Sequence, residues 1–195
     1  MPFNLPIFLT WARVATIPLI VSVYYLPDTC LLMPSKNLLA TVLFILAALT
    51  DWLDGFLARR WQQTSSFGAF LDPVADKLMV AAALLVLLDL GRVNALLALG
   101  IIGREIAISA LREWMAQIGA MRSVAVNFLG KLKTVIQMIA IPMLLFYRPL
   151  GPLDIASMGT FMLWLAGFFT ILSMAYYLRL AWPLILSSQA DKHIE

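Results

Sequence analysis

The stretch that decides the fold and the chemistry of this chain reads Asp51-Trp52-Leu53-Asp54-Gly55-Phe56-Leu57-Ala58-Arg59, then, after eight residues, Gly68-Ala69-Phe70-Leu71-Asp72-Pro73-Val74-Ala75-Asp76. It holds two pairs of carboxylates in apolar surroundings, three residues apart in the first pair and four in the second. On an α-helix both spacings place the two acids of a pair on one face. Gly55 and Ala58 fall on the face of the first pair, within about 100° of the helix circumference. The stretch therefore predicts two helices that each present carboxylates, the first beside small residues.

Four carboxylates in apolar segments need counter-charges. A charged side chain at the centre of a membrane helix costs about 2.5–3.5 kcal/mol, so four unpaired ones would cost on the order of 10 kcal/mol. The cations nearby in sequence are Arg59, Arg60 and Lys77, and Lys77 lies about 140° round the helix from Asp72. Two divalent ions would balance four carboxylates, and ligands that are all oxygen favour Mg²⁺, Mn²⁺ or Ca²⁺ over zinc. The predicted metal ligands are Asp51, Asp54, Asp72 and Asp76.

The composition is that of an integral membrane protein. Of the 195 residues, 62% are hydrophobic and 13% are charged, and the mean hydropathy is +0.90, whereas about 25% of a soluble domain is charged. The net charge of +3 is spread along the chain, which suggests anionic lipid surfaces and argues against nucleic acid as a partner. The single Cys30 excludes an internal disulfide, and the single His193 disfavours histidine-based catalysis.

Six apolar segments predict an all-α integral membrane protein with six transmembrane helices and one domain over residues 1–195. Pro73 is expected in the first turn of the third helix and Gly68 in the loop before it. Arg13 lies inside the first segment, where a functional role and snorkelling of its side chain to the headgroups are equally supported. A frayed tail is expected from about residue 187. The predicted helices cover residues 5–26, 37–60, 71–90, 93–115, 127–147 and 155–186.

The distribution of Lys and Arg predicts that both chain termini are cytoplasmic. The acidic stretch then lies near the cytoplasmic ends of the second and third helices, on the side that holds nucleotides and sugar phosphates. In this orientation the outer side keeps three cations, Lys36, Arg92 and Arg148. The cytoplasmic side has eight, which are Arg59, Arg60, Arg112, Arg122, Lys131, Lys133, Arg179 and Lys192.

The pattern Asp51-x2-Asp54-Gly55-x2-Ala58-Arg59-x8-Gly68-x3-Asp72-x3-Asp76 resembles the full signature of the CDP-alcohol phosphotransferases, with all eight fixed positions filled. The resemblance implies the helical bundle of that family, two Mg²⁺ or Mn²⁺ ions held by the four aspartates, and Asp76 as the general base on an attacking hydroxyl. The residue types also suit a nucleotide diphosphate, because Gly55 and Ala58 leave room against the helix backbone and Arg59 can meet a phosphate oxygen. Close helix packing is the alternative for the two small residues. The candidates for nucleotide and diphosphate binding are Asp54, Gly55, Ala58, Arg59 and Gly68.

Three further stretches resemble the bacterial branch of this family that uses glycerol 3-phosphate as acceptor. They are Asn4-Leu5-Pro6-x3-Thr10-x2-Arg13, Arg104-Glu105-x6-Arg112-Glu113 and Gly130-Lys131-Leu132-Lys133-Thr134-x2-Gln137. The resemblance implies transfer of a phosphatidyl group from CDP-diacylglycerol to sn-glycerol 3-phosphate, with release of CMP, in the synthesis of phosphatidylglycerol. It also implies a homodimer among the lipids of the bacterial inner (cytoplasmic) membrane, with an active site that faces the cytoplasm.

An acceptor that carries a phosphate requires a cationic site. Arg104 and Arg112 lie about 80° apart on the predicted fourth helix, and Lys131 and Thr134 lie about 60° apart on the fifth. On a regular helix Lys133 points elsewhere, which favours snorkelling. A structural ion pair with the neighbouring glutamate is the alternative for Arg104. The candidates for the acceptor phosphate are Arg104, Arg112, Lys131, Lys133 and Thr134.

Three other functions are compatible with parts of this sequence. The first keeps the chemistry but changes the acceptor to inositol phosphate, serine or phosphatidylglycerol. The second is an intramembrane prenyltransferase, which also holds Mg²⁺-diphosphate with acidic pairs but normally has them far apart in sequence. The third is a cation transporter, which predicts carboxylates at mid-span on broken helices.

Overall fold

The computed structural model of the chain describes residues 5–61, 66–117 and 128–191. Within these ranges the prediction of an all-α chain with six helices is confirmed, and the only β pairing is an isolated bridge between Leu150 and Leu153. The helices are Leu5–Tyr25 (α1), Met33–Trp61 (α2), Ser66–Asp89 (α3), Ala95–Gln117 (α4), Phe128–Phe146 (α5) and Ile155–Asp191 (α6).

Three helix boundaries lie four or five residues outside the predicted spans. The second helix begins at Met33 and the third at Ser66, in both cases earlier than the apolar pattern indicates. Pro73 is therefore two turns inside α3 instead of in its first turn, and Gly68 is helical instead of part of a loop. The sixth helix continues to Asp191, so the predicted tail is helical over residues 187–191. Apolar periodicity marks only the part of a helix that is packed or in lipid, and polar helical turns beyond it escape detection.

Apolar side chains cover the outside of the bundle, as a lipid environment requires. Leu99, Phe161 and Ile171 are 68%, 70% and 70% exposed, which would be an aggregation hazard for a soluble monomer. Three described stretches are long and apolar enough to cross a membrane, namely Phe8–Tyr25, Met33–Asp51 and Ile155–Leu180. α3 and α4 are helices of 24 and 23 residues whose apolar runs are interrupted by the charged residues of the motifs. The chain is an integral membrane protein.

The packing of the helices brings all the motifs to one end of the bundle. α1 packs against α2 and α3, α6 packs against α4 and α5, and contacts of α2 with α5 and of α3 with α4 join the two groups. The apolar core between them includes Phe44, Met79, Leu84, Ile101 and Leu144, all of which are buried. Since successive helices run in opposite directions, the beginnings of α1, α3 and α5 lie at the same end as the termini of α2, α4 and α6.

Arg92, in the loop between α3 and α4, ties together the opposite end of the bundle. Its Nη1 donates to the backbone carbonyls of Leu144 and Leu145, both at 3.0 Å, and its Nη2 donates to Asn37 Oδ1 at 2.9 Å. Its guanidinium lies 4.2 Å from the centroid of the Tyr147 ring. The two carbonyls belong to the last turn of α5, where helical donors are missing. Arg92 thus satisfies the end of α5 and links it to α2, at the end of the bundle opposite the motifs.

Two turns hold the ends of the neighbouring helices. The N–H groups of Gly91 and Arg92 donate to the carbonyls of Leu88 and Leu87, and Gly91 has a φ of +67°, which is the glycine-dependent closure of a helix C-terminus. Asp154 caps α6 by accepting from the hydroxyl of Ser157 at 2.5 Å and from its backbone N–H at 3.3 Å. These two hydrogen bonds hold the pKa of the Asp154 carboxyl below its ordinary value.

We predict that Arg92→Ala destabilises the protein by about 2–3 kcal/mol, because a guanidinium that satisfies several carbonyl groups contributes more than one neutral hydrogen bond. Thermal unfolding in detergent micelles measures the effect. Arg148→Ala, which removes an exposed cation from the loop before α6, serves as the control and should leave the unfolding temperature nearly unchanged. Equal stability of the two variants would contradict a structural role for Arg92.

Candidate functional site

Arg13 of α1 is buried between carboxylates of two other helices. Its Nη1 lies 2.9 Å from Asp51 Oδ1 on α2 and 3.0 Å from Asp76 Oδ1 on α3. Arg13 itself is 1% exposed, so of the two roles that the sequence left open for it, snorkelling of its side chain to the headgroups is excluded. The two carboxylates are 38% and 35% exposed. The cation therefore sits behind the acids, and the acids face outward.

A third carboxylate joins this group through the preceding turn of α1. Thr10, three residues before Arg13 and on the same face of the helix, donates its hydroxyl to Asp72 Oδ1 at 2.6 Å. Three of the four predicted metal ligands thus lie along one face of α1, although Asp72 and Asp76 are two to three turns inside α3 and not at its N-terminal end. The side chains of Asp54, Gly55, Ala58 and Arg59 lie outside the described part of the structure.

The chemistry of this acidic cluster, which we define as Asp51, Asp72 and Asp76 with Arg13, fits hard divalent cations. All its potential ligands are carboxylate oxygens, which are the ligands that Mg²⁺, Mn²⁺ and Ca²⁺ prefer. Among the described side chains no three acidic, His or Cys groups are close enough to share an ion. The side chain of the predicted fourth ligand, Asp54, lies outside the described part and is not included in this statement. Arg13 already supplies one of the counter-charges that the sequence pattern attributed to metal ions alone.

A second group of charges lines a pocket of about 360 Å³ between α4 and α5. It includes three cationic side chains and one carboxylate, which are Arg104, Arg112, Lys133 and Glu105. Arg104 and Lys133 are 7% and 1% exposed. We call this group the basic pocket. Its remaining lining consists of Gly130, Thr134 and Val135.

The charges of the basic pocket are held by contacts between three helices. Lys133 of α5 forms an ion pair with Glu105 of α4, and Arg104 Nη1 lies 3.7 Å from the same carboxylate. Arg104 Nη2 donates to Ser173 Oγ of α6 at 2.9 Å, and Arg112 Nη2 donates to the hydroxyl of Tyr177 at 3.0 Å. Neither α6 residue is among the candidates predicted from the sequence. Their one signal is that they lie four residues apart, on one face of a mostly apolar helix.

Two hydrogen-bond donors of the basic pocket have no partner within the described structure. The Nε atoms of Arg104 and Arg112 are buried and have no hydrogen-bond partner within the described structure. Buried donors without a partner favour the binding of an acceptor group, and planar guanidinium groups match the oxygens of a phosphate. The pocket is thus arranged to receive an anion.

The other acceptor candidates have mixed outcomes in the structure. Lys133 is buried in the basic pocket, so the prediction that it points away from its neighbours and snorkels is wrong. The carboxylate of Glu105 holds it there, and a helical wheel of α5 alone does not contain that partner. Thr134 also lines the pocket, but its hydroxyl donates to the carbonyl of Gly130 at 3.0 Å. The side chain of Lys131 lies outside the described part. A role of these residues in binding an acceptor stays a prediction.

The chain is similar to a known protein family and to named bacterial proteins over most of its length. A model of the CDP-alcohol phosphatidyltransferase family matches residues 3–172. The chain belongs to that family. Its relatives include three proteins named CDP-diacylglycerol--glycerol-3-phosphate 3-phosphatidyltransferase. The one from Haemophilus influenzae is 47% identical over 183 residues, covering 93% of this chain and 95% of the relative. The one from Pectobacterium atrosepticum is 50% identical over 183 residues, covering 93% and 96%, and the one from Yersinia enterocolitica is 47% identical over 188 residues, covering 95% and 99%.

Membership of this family confirms the resemblance that the acidic motif indicated, and it excludes the prenyltransferase and transporter alternatives. Family members are phosphatidyltransferases that generally use divalent metal ions. The described helices agree, because α2 and α3 run without a break through their aspartates, whereas the transporter alternative required broken helices.

We predict that Arg13→Gln lowers the unfolding temperature in the presence of EDTA, because Asp51 and Asp76 then face each other without the cation that separates them. Adding Mg²⁺ or Mn²⁺ should raise the unfolding temperature more in this variant than in the unmodified protein, since a divalent ion replaces the lost counter-charge. Arg13→Lys keeps the charge and is the control. A glutamine variant that is as stable as the unmodified protein in EDTA, and that responds equally to the ions, would show that Arg13 does not neutralise the cluster.

Proposed function

We propose that this chain transfers the phosphatidyl group of CDP-diacylglycerol to sn-glycerol 3-phosphate, giving phosphatidylglycerophosphate and CMP. The observation that carries the proposal is the charge of the basic pocket. Three cations and one carboxylate leave two net positive charges, and a phosphate monoester carries about −1.5 to −2 at neutral pH. The names of the relatives from three bacteria support the same pair of substrates.

The donor is proposed to bind at the acidic cluster. Asp51, Asp54, Asp72 and Asp76 hold two Mg²⁺ or Mn²⁺ ions, which when bound neutralise the diphosphate and stabilise charge on the entering and leaving oxygens. Arg13 and Thr10 keep three of the carboxylates oriented from behind. The cytidine diphosphate then lies against α2, with Asp54, Gly55, Ala58, Arg59 and Gly68 as its binding residues.

In the proposed reaction Asp76 accepts the proton of the attacking hydroxyl of glycerol 3-phosphate. The hydroxyl oxygen forms a bond to the β-phosphorus of CDP-diacylglycerol, the bond between that phosphorus and the bridging oxygen breaks, and CMP departs with the bridging oxygen. The side chain of Asp76 is 35% exposed although its partner Arg13 is buried, which supports the accessibility of Asp76 to a substrate. The basic pocket meanwhile holds the acceptor phosphate and so fixes the position of the hydroxyl.

The setting of the reaction belongs to the same proposal. The acidic cluster and the basic pocket occupy the end of the bundle that the positive-inside rule assigns to the cytoplasm, and the relatives are bacterial, which supports the inner membrane. A lateral opening between helices would admit the two acyl chains, while the polar groups stay in the aqueous cleft. A homodimer is proposed on the family resemblance alone.

We predict that the purified protein in detergent releases CMP from CDP-diacylglycerol with glycerol 3-phosphate, in the presence of Mg²⁺ or Mn²⁺, and stops when EDTA removes the ions. Asp76→Asn should lower kcat by about 100- to 10,000-fold, as expected for loss of a general base, provided that circular dichroism shows an intact fold. Glycerol, inositol phosphate and serine are the comparison acceptors. CMP release with inositol phosphate or serine, but not with glycerol 3-phosphate, would transfer the protein to a sister activity.

A further prediction concerns the basic pocket. Arg112→Ala should raise the KM for glycerol 3-phosphate about 10- to 100-fold and leave the KM for CDP-diacylglycerol unchanged, because a charged hydrogen bond contributes about 1.5–3 kcal/mol. Steady-state CMP release measures both constants. Arg179→Ala removes an exposed cation of α6 and is the matched control. If both KM values rise together, Arg112 does not act on the acceptor phosphate.

A further inference from the structure

Tyr177 is the residue around which the two arginines of the basic pocket are arranged. It is 0% exposed and packs with Ile108 and Met115 in a small core of its own. The guanidinium carbons of Arg104 and Arg112 lie 5.8 Å and 5.3 Å from the centroid of its ring. The two cations would otherwise repel each other, and an aromatic ring within about 6 Å attracts both through its quadrupole. The ring is therefore a fixed surface against which both guanidinium groups rest.

Hydrogen bonds that the two arginines donate to side chains of α6 fix the orientation of each guanidinium group. The hydroxyl of Tyr177 accepts from Arg112 Nη2 at 3.0 Å and Ser173 Oγ accepts from Arg104 Nη2 at 2.9 Å. Ser173 is 0% exposed, and its own hydroxyl donates to the carbonyl of Thr170. Both contacts with α6 engage Nη2, and the Nε donor of each arginine has no hydrogen-bond partner within the described structure.

The helix α5, which forms the other wall of the basic pocket, also approaches Tyr177. A Cβ atom at Gly130 of α5 would lie 3.6 Å from the Tyr177 hydroxyl, so the backbone of α5 passes beside the phenol. Gly130 lines the pocket and Tyr177 is absent from its described lining. The tyrosine is therefore behind the two arginines, where it cannot donate to a ligand in the pocket directly.

Resting on the proposed function, we propose that Tyr177, with Ser173, is a positioning residue that determines recognition of the acceptor phosphate. It holds Arg104 and Arg112 side by side with their Nε donors free, and this arrangement fits the oxygens of a phosphate monoester. The ring and its hydroxyl have separable tasks. The hydroxyl orients Arg112, and the ring holds the two guanidinium groups together.

The experiment compares Tyr177→Phe, Ser173→Ala and the control Tyr176→Phe, which removes the hydroxyl of the neighbouring, partly exposed tyrosine. Tyr177→Phe should raise the KM for glycerol 3-phosphate about tenfold, with kcat and the KM for CDP-diacylglycerol changed less than twofold. In an Arg112→Ala background, Tyr177→Phe should have almost no added effect, because its partner is gone, whereas Ser173→Ala should still raise the KM. Tyr176→Phe should match the unmodified protein.

Two readouts separate the possible failures. Protection by glycerol 3-phosphate against thermal unfolding, measured without CDP-diacylglycerol, should shrink in Tyr177→Phe even if the protein itself unfolds at the normal temperature. A Tyr177→Phe effect that persists in the Arg112→Ala background, or that raises both KM values equally, would overturn the positioning role. If CMP release in the unmodified protein does not depend on glycerol 3-phosphate, the proposed function fails. Suppose instead that CMP release depends on glycerol 3-phosphate and that Arg112→Ala raises the KM for this acceptor. A Tyr177→Phe variant with unchanged KM then overturns the positioning role and leaves the proposed function intact.

Discussion

The ion pairs that Arg13 makes with Asp51 and Asp76 are the interaction on which the acidic end of the bundle depends. Each of the three residues belongs to a different helix, and Arg13 is completely enclosed. Removing Arg13 would leave the two carboxylates without the cation that lies between them, which destabilises this arrangement of the helices. The contact therefore fixes the relative positions of α1, α2 and α3 at the depth where the carboxylates must meet a ligand, and Thr10 extends the same constraint to Asp72.

The two charged groups are built on a common plan with opposite signs. Among the described side chains, the acidic cluster contains three carboxylates and one cation, and the basic pocket contains three cations and one carboxylate. In both, the minority charge is buried or paired, and it lowers the electrostatic cost of gathering like charges without cancelling the net charge of the group. The remaining charge is about two units in each case, negative in the cluster and positive in the pocket. The sign of each charge is opposite to that of the species that the group is proposed to bind, divalent cations in the cluster and a phosphate monoester in the pocket.

The sequence was sufficient for the helices, and for those parts of the site whose members are close together in the chain. The aspartates could be found because their spacings of three and four residues report directly on one helix face. Arg13 could not be placed, because its partners lie 38 and 63 residues away and a helical wheel contains no information about a neighbouring helix. The same limit explains Lys133, which the wheel of α5 directed away from the site. Its position is decided by Glu105 on another helix. Ser173 and Tyr177 carry no charge, so they looked like ordinary members of an apolar span.

The difference between the two ends of the bundle follows from how their polar groups are satisfied. At the end of the bundle away from the motifs, Arg92 donates its guanidinium hydrogen bonds to backbone carbonyls and to Asn37, so they are used within the protein. At the end that carries the motifs, Arg104 and Arg112 retain buried Nε donors, and leaving such groups unpaired costs about 1–3 kcal/mol each. An anion that occupies the pocket removes this cost and so stabilises the folded state by linkage. The same type of side chain thus acts as a structural tie where its donors are used, and as a binding group where neighbouring residues hold it in place but leave one donor unused.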